Sequence, residues 1–114
     1  MSSINREKLA KNMREFALKK PGFEIKDYCG NFEAYMFDYN SYKEDADFNR
    51  NFSEQQLLEI LNNNTDEEIR YAFKTAYSGR LSFDENMELH YRTGQYFPTE
   101  YQAALRSVIE HLLR

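Results

Sequence analysis

Asp45, Asp47 and Asn49 place three oxygen-bearing side chains at alternate positions, the spacing with which an EF-hand loop begins to wrap a calcium ion. Such a loop next needs a glycine and, at its end, a bidentate glutamate, but Arg50 and Gln56 stand there. A cation inside the loop, no permissive turn residue and a neutral amide for the last ligand remove the chemistry from the pattern. Ser53 with Gln56 instead spells a capping box, and Phe52 with Leu57 a hydrophobic staple. The segment is expected to be a helix entrance, preceded by a loop rich in Asp and Asn.

Other reactive groups are few and scattered. Cys29 is the only cysteine, and in the hairpin expected below it faces Phe32, so it is expected to be buried as a small hydrophobe. His90 and His111 belong to no H-x-H, H-E-x-x-H or C-x-x-C pattern, and no G-x-S-x-G elbow offers a nucleophile. His90 is expected on the polar side of a strand and His111 on the solvated side of the last helix. The four glycines, at 22, 30, 79 and 94, sit singly in turns rather than clustered before a helix, so no phosphate cradle is built. The expectation is therefore no catalytic residue, no metal and no cofactor.

What stands out is "YMFDYNSYKEDADF", residues 35 to 48. Tyr35, Tyr39 and Tyr42 mingle there with Asp38, Glu44, Asp45 and Asp47. Tyrosine offers contact area at low entropic cost, and carboxylates steer and pair with Lys or Arg of a partner. These seven residues are the candidate partner-binding set. The alternative is that the tyrosines form the second face of a strand covered by helices, with the acids solvating the loop beyond it.

These residues must be positioned by the elements around them. Ile4, Leu9, Met13, Phe16 and Ala17 share one face of a helix over residues 4 to 19, ended by Pro21-Gly22. "FEIKDYCGNFEAYMFDY" then reads as two strands joined at Gly30-Asn31, with Ile25 opposite Met36. Two short helices follow, the second capped by Thr65 with Glu68 and closed near Gly79. "LSFDENMELHY" reads as a second hairpin that pairs Leu81 with Leu89 and Phe83 with Met87 across Asp84-Glu85-Asn86, with Asn86 left-handed. A last amphipathic helix is expected behind Thr99 and Gln102. The order α-β-β-α-α-β-β-α predicts a single α+β domain over residues 1 to 114, an antiparallel sheet packed by helices.

Nine Phe and nine Tyr supply a core for a chain of 114 residues, and a formal charge of −4 describes an ordinary surface. The charge is uneven: six basic and two acidic residues fall in 1 to 20, seven acidic and two basic in 27 to 56. The overall acidity argues against nucleic-acid binding, and no stretch approaches the ~18 apolar residues of a membrane span. With a single cysteine, a reducing cytoplasm is the expected location. The leading expectation is a small acidic protein-binding protein, such as an immunity protein or inhibitor that neutralises a basic toxin or nuclease. The alternatives are a self-associating structural or regulatory module, possible as a homodimer, and a small enzyme with no motif visible in sequence.

Overall fold

The Asn5 side chain accepts the Lys8 N–H at 3.1 Å and starts α1 (Arg6–Ala17). In the computed structural model, which describes residues 3–93 and 100–114, Leu9, Ala10, Met13, Phe16 and Ala17 of this helix are buried, the face selected by three-and-four spacing. Two cations of its polar face turn back onto the protein. Arg6 donates to the carbonyls of Leu61 and Asn64, and Arg14 to those of Arg50 and Phe52.

The expected first hairpin is not formed. Residues Ile25–Tyr28 make one 3₁₀ turn, and α2 runs from Phe32 to Arg50 without interruption. Asn31, expected in a hairpin turn, is instead an N-cap whose side chain accepts the Ala34 N–H at 3.1 Å. Alternation over a few residues of "FEIKDYC" gave a period of two, but Tyr35, Tyr39, Tyr42, Ala46 and Asn49 recur at three-and-four spacing and form the inner seam of a helix. Asp45, Asp47 and Asn49 therefore lie within a helix and not in a loop, and their side chains take three different partners. Cys29, with no strand to pair with, ends the 3₁₀ turn in the left-handed region (φ 54°) and is exposed, not buried.

Ser53 and Thr65 cap α3 (Glu54–Asn62) and α4 (Asp66–Thr75) through complete capping boxes with Gln56 and Glu68, as expected. After α4 the chain turns through Ala76–Gly79, where Tyr77, Ser78 and Gly79 all have positive φ. Strands β1 (Leu81–Phe83) and β2 (Leu89–Tyr91) form a second hairpin as expected, but in another register: Leu81 faces Tyr91 and Phe83 faces Leu89. The connection is longer than three residues because Asp84 organises it, its Oδ1 accepting the N–H of Asn86 at 2.8 Å and of Glu88 at 3.1 Å. Met87, not Asn86, takes the left-handed conformation, which carries its side chain into the core.

α5 (Tyr101–Leu112) buries Ala104, Leu105, Val108, Ile109 and Leu112 at three-and-four spacing, as expected of an amphipathic helix. The expected cap Thr99 lies outside the described residues, and Gln102 is drawn inward: its Nε2 donates to the Phe16 carbonyl at 2.9 Å. The fold is α+β, with five helices and one two-stranded antiparallel sheet among the described residues. Its main core joins α1, α3, α4, α5 and the hairpin. A second, aromatic cluster centres on Phe23, Tyr42 and Ala46 between α2 and the turn before it, and Tyr101 packs against both.

Candidate functional site

A helix repeats every 3.6 residues, so the inner seam of α2 leaves a flanking strip at Asp38, Ser41 and Asp45, with Phe37 farther round. That strip forms one wall of a cleft of about 720 Å³. The opposite walls come from the segment holding Gly22, Phe23, Asp27 and Tyr28 and from the start of α5 with Glu100, Tyr101, Gln102 and Ala103; Tyr77 also lines it. Four carboxylates thus share one cleft, and among the described residues no Lys or Arg lines it.

Aromatic packing holds these walls. Phe23 is the hub, with Tyr28, Tyr35 and Tyr42 ring centroids 5.9–6.0 Å away in edge-on geometry. Tyr35 stacks on Tyr39 at 6.0 Å, and Tyr42 meets Tyr101 at 5.8 Å. The hydroxyls are tied down as well: Tyr42 donates to the Lys19 carbonyl at 2.7 Å and Tyr101 to that of Lys20 at 2.6 Å. These two bonds fasten α2 and α5 to the segment that follows α1.

The carboxylates differ in how far they are compensated. Asp38 accepts from the Tyr28 hydroxyl at 2.5 Å, and that phenol is pushed up to about 12, chiefly by burial and then by its bond to Asp38. Asp45 is raised above its ordinary value because burial outweighs the attraction of Arg106, which lies 3.3 Å away. Glu100 is raised by burial and then by the charges of Asp38 and Asp45. Among the described residues Asp45 alone of the four has an ion-pair partner, so the cleft concentrates uncompensated negative charge.

The seven sequence-derived candidates divide accordingly. Asp38, Tyr42 and Asp45 line the cleft. Tyr35 and Tyr39 support it from within the aromatic cluster. Glu44 and Asp47 point elsewhere, toward Arg106 at 3.9 Å and Lys43 at 3.0 Å. Sequence reasoning missed Asp27, Phe37 and Glu100. A helical reading of residues 32 to 50 puts Phe37 away from the tyrosine seam, and it is 72% exposed; only the tertiary fold brings in Asp27 and Glu100.

Two other groupings bear on chemistry. Asp84, Glu88 and His90 bring donor atoms within 4.8 Å of one another, a possible metal-ligand set that the sequence reading did not anticipate. Asp84 is already engaged there, its Oδ2 lying 2.8 Å from His90 Nε2 and its Oδ1 accepting the two loop N–H groups. The Thr75 hydroxyl lies 3.5 Å from His111 Nε2 but donates to the Tyr71 carbonyl at 2.8 Å, which is not the geometry of an activated nucleophile. No helix among the described residues is long and apolar enough to cross a membrane. No family model, curated protein or solved structure matches the chain.

Proposed function

We propose that this is a protein-binding protein that engages a basic partner, such as a toxin or nuclease, as an inhibitor or immunity factor. The observation that carries this reading is the convergence of Asp27, Asp38, Asp45 and Glu100 on one aromatic-walled cleft that no described Lys or Arg lines. A basic partner supplies the missing charge, and where its own basic surface serves to bind phosphate, covering that surface blocks it. Self-association has weaker support: Phe32 and Phe37 are 61% and 72% exposed on α2. Five residues apart, they diverge by about 140° around the helix and make no single patch.

The test is capture from native lysate on immobilised wild-type protein and on the double reversal Asp38→Lys/Glu100→Lys, with folding of both checked by circular dichroism. A basic protein retained only by wild type is the expected result, with association slowing as salt rises and with the partner's own activity falling in the complex. Equal capture by both forms, or no basic protein on either, overturns the reading.

A further inference from the structure

The cleft has a shape and chemistry narrower than a general acidic surface. Its volume, about 720 Å³, lies within the range of small-ligand sites, so a single side chain would occupy part of it. Its lining includes the aromatic rings of Tyr28, Phe37 and Tyr101 and the carboxylates of Asp38, Asp45 and Glu100.

Such a lining distinguishes between cations. A guanidinium is planar, weakly hydrated and forked: it lies against a ring while donating to two carboxylates at once. An ammonium is a compact, strongly hydrated point charge, loses more on leaving water and has no planar face to stack.

The molecule contains one example of this mode beside the cleft. Arg106 lays its guanidinium over the Phe48 ring at 4.5 Å and reaches Asp45 at 3.3 Å and Glu44 at 3.9 Å. Asp45 belongs to both settings: it holds this internal arginine and it lines the cleft. Within the cleft, Asp38 and Glu100 have no such cation among the described residues.

Resting on the reading of this face as a site for a basic partner, we propose that the cleft is an arginine-anchor pocket, taking one guanidinium of the partner between its aromatic walls and the Asp38 and Glu100 carboxylates. The occupant is an arginine side chain in preference to lysine. The rest of the partner's surface adds area and long-range attraction, while the pocket fixes register.

The experiment is a two-dimensional amide NMR titration of the full chain with N-acetyl-arginine amide, N-acetyl-lysine amide and, as the control for ionic strength, potassium chloride. Arginine amide is expected to move the amides of Asp38, Asp45 and Ala103 saturably in the millimolar range, with lysine amide at least about fivefold weaker and salt giving no saturable shift. Glu100→Gln and Asp38→Asn, each keeping a native-like spectrum, should weaken arginine amide by about fivefold or more. Equal binding of the lysine compound, shifts reproduced by salt, or unchanged affinity in both variants overturns the pocket. Its failure is separable from that of the functional reading. A salt-sensitive basic partner captured by a protein that ignores arginine amide refutes the anchor alone; saturable arginine binding with no partner captured refutes the function alone.

Discussion

Arg14 and Arg50 each close the end of the other's helix. Arg14 Nη1 donates to the carbonyls of Arg50 at 2.7 Å and Phe52 at 2.9 Å, where α2 ends. Arg50 donates through Nε to Ala17 at 2.7 Å and through Nη2 to Lys19 at 2.9 Å, where α1 ends. The final carbonyls of a helix have no partners within it and carry the negative end of its dipole, so a guanidinium there satisfies bonds and charge together. Arg50 also donates to the Tyr42 hydroxyl at 3.1 Å, which links this junction to the cleft. Arg50→Ala is expected to cost about 2–3 kcal/mol in urea unfolding, with Arg50→Lys recovering less than half because a point charge cannot serve several acceptors in fixed directions. A loss below about 0.5 kcal/mol would show that the junction is held by packing alone.

A second cap sets an acid-sensitive limb of stability. Arg6 donates to the Asn64 carbonyl at 2.6 Å and to Asp66 Oδ1 at 2.6 Å, while Asp66 Oδ2 accepts the Ile4 N–H at 3.3 Å. The Ile4 N–H first, and then Arg6, hold the Asp66 carboxyl below its ordinary 3.8. A carboxyl depressed by folding contributes stability that is complete above the unfolded value and lost as pH falls through the folded one. Melting temperatures measured from about pH 6 down to about pH 2.5 should therefore fall less steeply below pH 4 in Asp66→Asn than in wild type, from a lower starting value. Parallel curves would remove Asp66 from the acid transition.

The sharpest polar constraint in the core joins α2 to α5. Asn49, fully buried, donates through Nδ2 to both the backbone carbonyl and Oε1 of Gln102, each at 2.9 Å, and Gln102 is 1% exposed. Removing the amide leaves buried acceptors without a donor and opens a void, so Asn49→Ala should cost about 2–4 kcal/mol. Asn49→Asp should cost more at neutral pH, because it replaces the donor by a charge facing two acceptors, and part of that loss should return on acidification. Chemical unfolding at two pH values checks both; Asn49→Asp as stable as wild type at neutral pH would mean that water reaches this site.

These relationships mark how far the sequence is readable. The boxes Ser53–Gln56 and Thr65–Glu68 are local, closed within four residues by chemistry those residues carry, and both were legible. The stripes of α1 and α5 were legible because many core contacts select a single face. α2 was not: its seam is three tyrosines, one alanine and one asparagine, of which only the alanine favours a helix strongly, and a short alternating run nearby matched the wrong period. The second hairpin was found but not its register, since Asp84 sets the loop through its side chain and not through length alone. Of the cleft, Asp38, Tyr42 and Asp45 were named from one segment, and a helical period there would have added Phe37; Glu100 lies more than fifty residues farther along and reaches them only when α5 docks.

The turn after α4 allows backbone preference to be separated from crowding. Tyr77, Ser78 and Gly79 all lie at positive φ, and Tyr77 lines the cleft. A Cβ at Gly79 (φ +70°) would sit 2.8 Å from the Lys74 carbonyl oxygen, so an alanine there meets both a left-handed backbone and a fixed backbone atom. Gly30, at φ +77°, has nothing within 4 Å and presents the backbone term alone, while Gly22 has open space and no positive φ. Substitution by alanine should therefore be graded: within about 0.5 kcal/mol at Gly22, a loss of about 1 kcal/mol at Gly30 and about 2–4 kcal/mol at Gly79. Because the Gly79 turn carries Tyr77, its variant should also shift the amides of Glu100 to Ala103 across the cleft, whereas the Gly30 variant should leave them in place. If Gly79→Ala costs no more than Gly30→Ala, the chain relaxes around Lys74 and the turn is not a fixed support of the cleft.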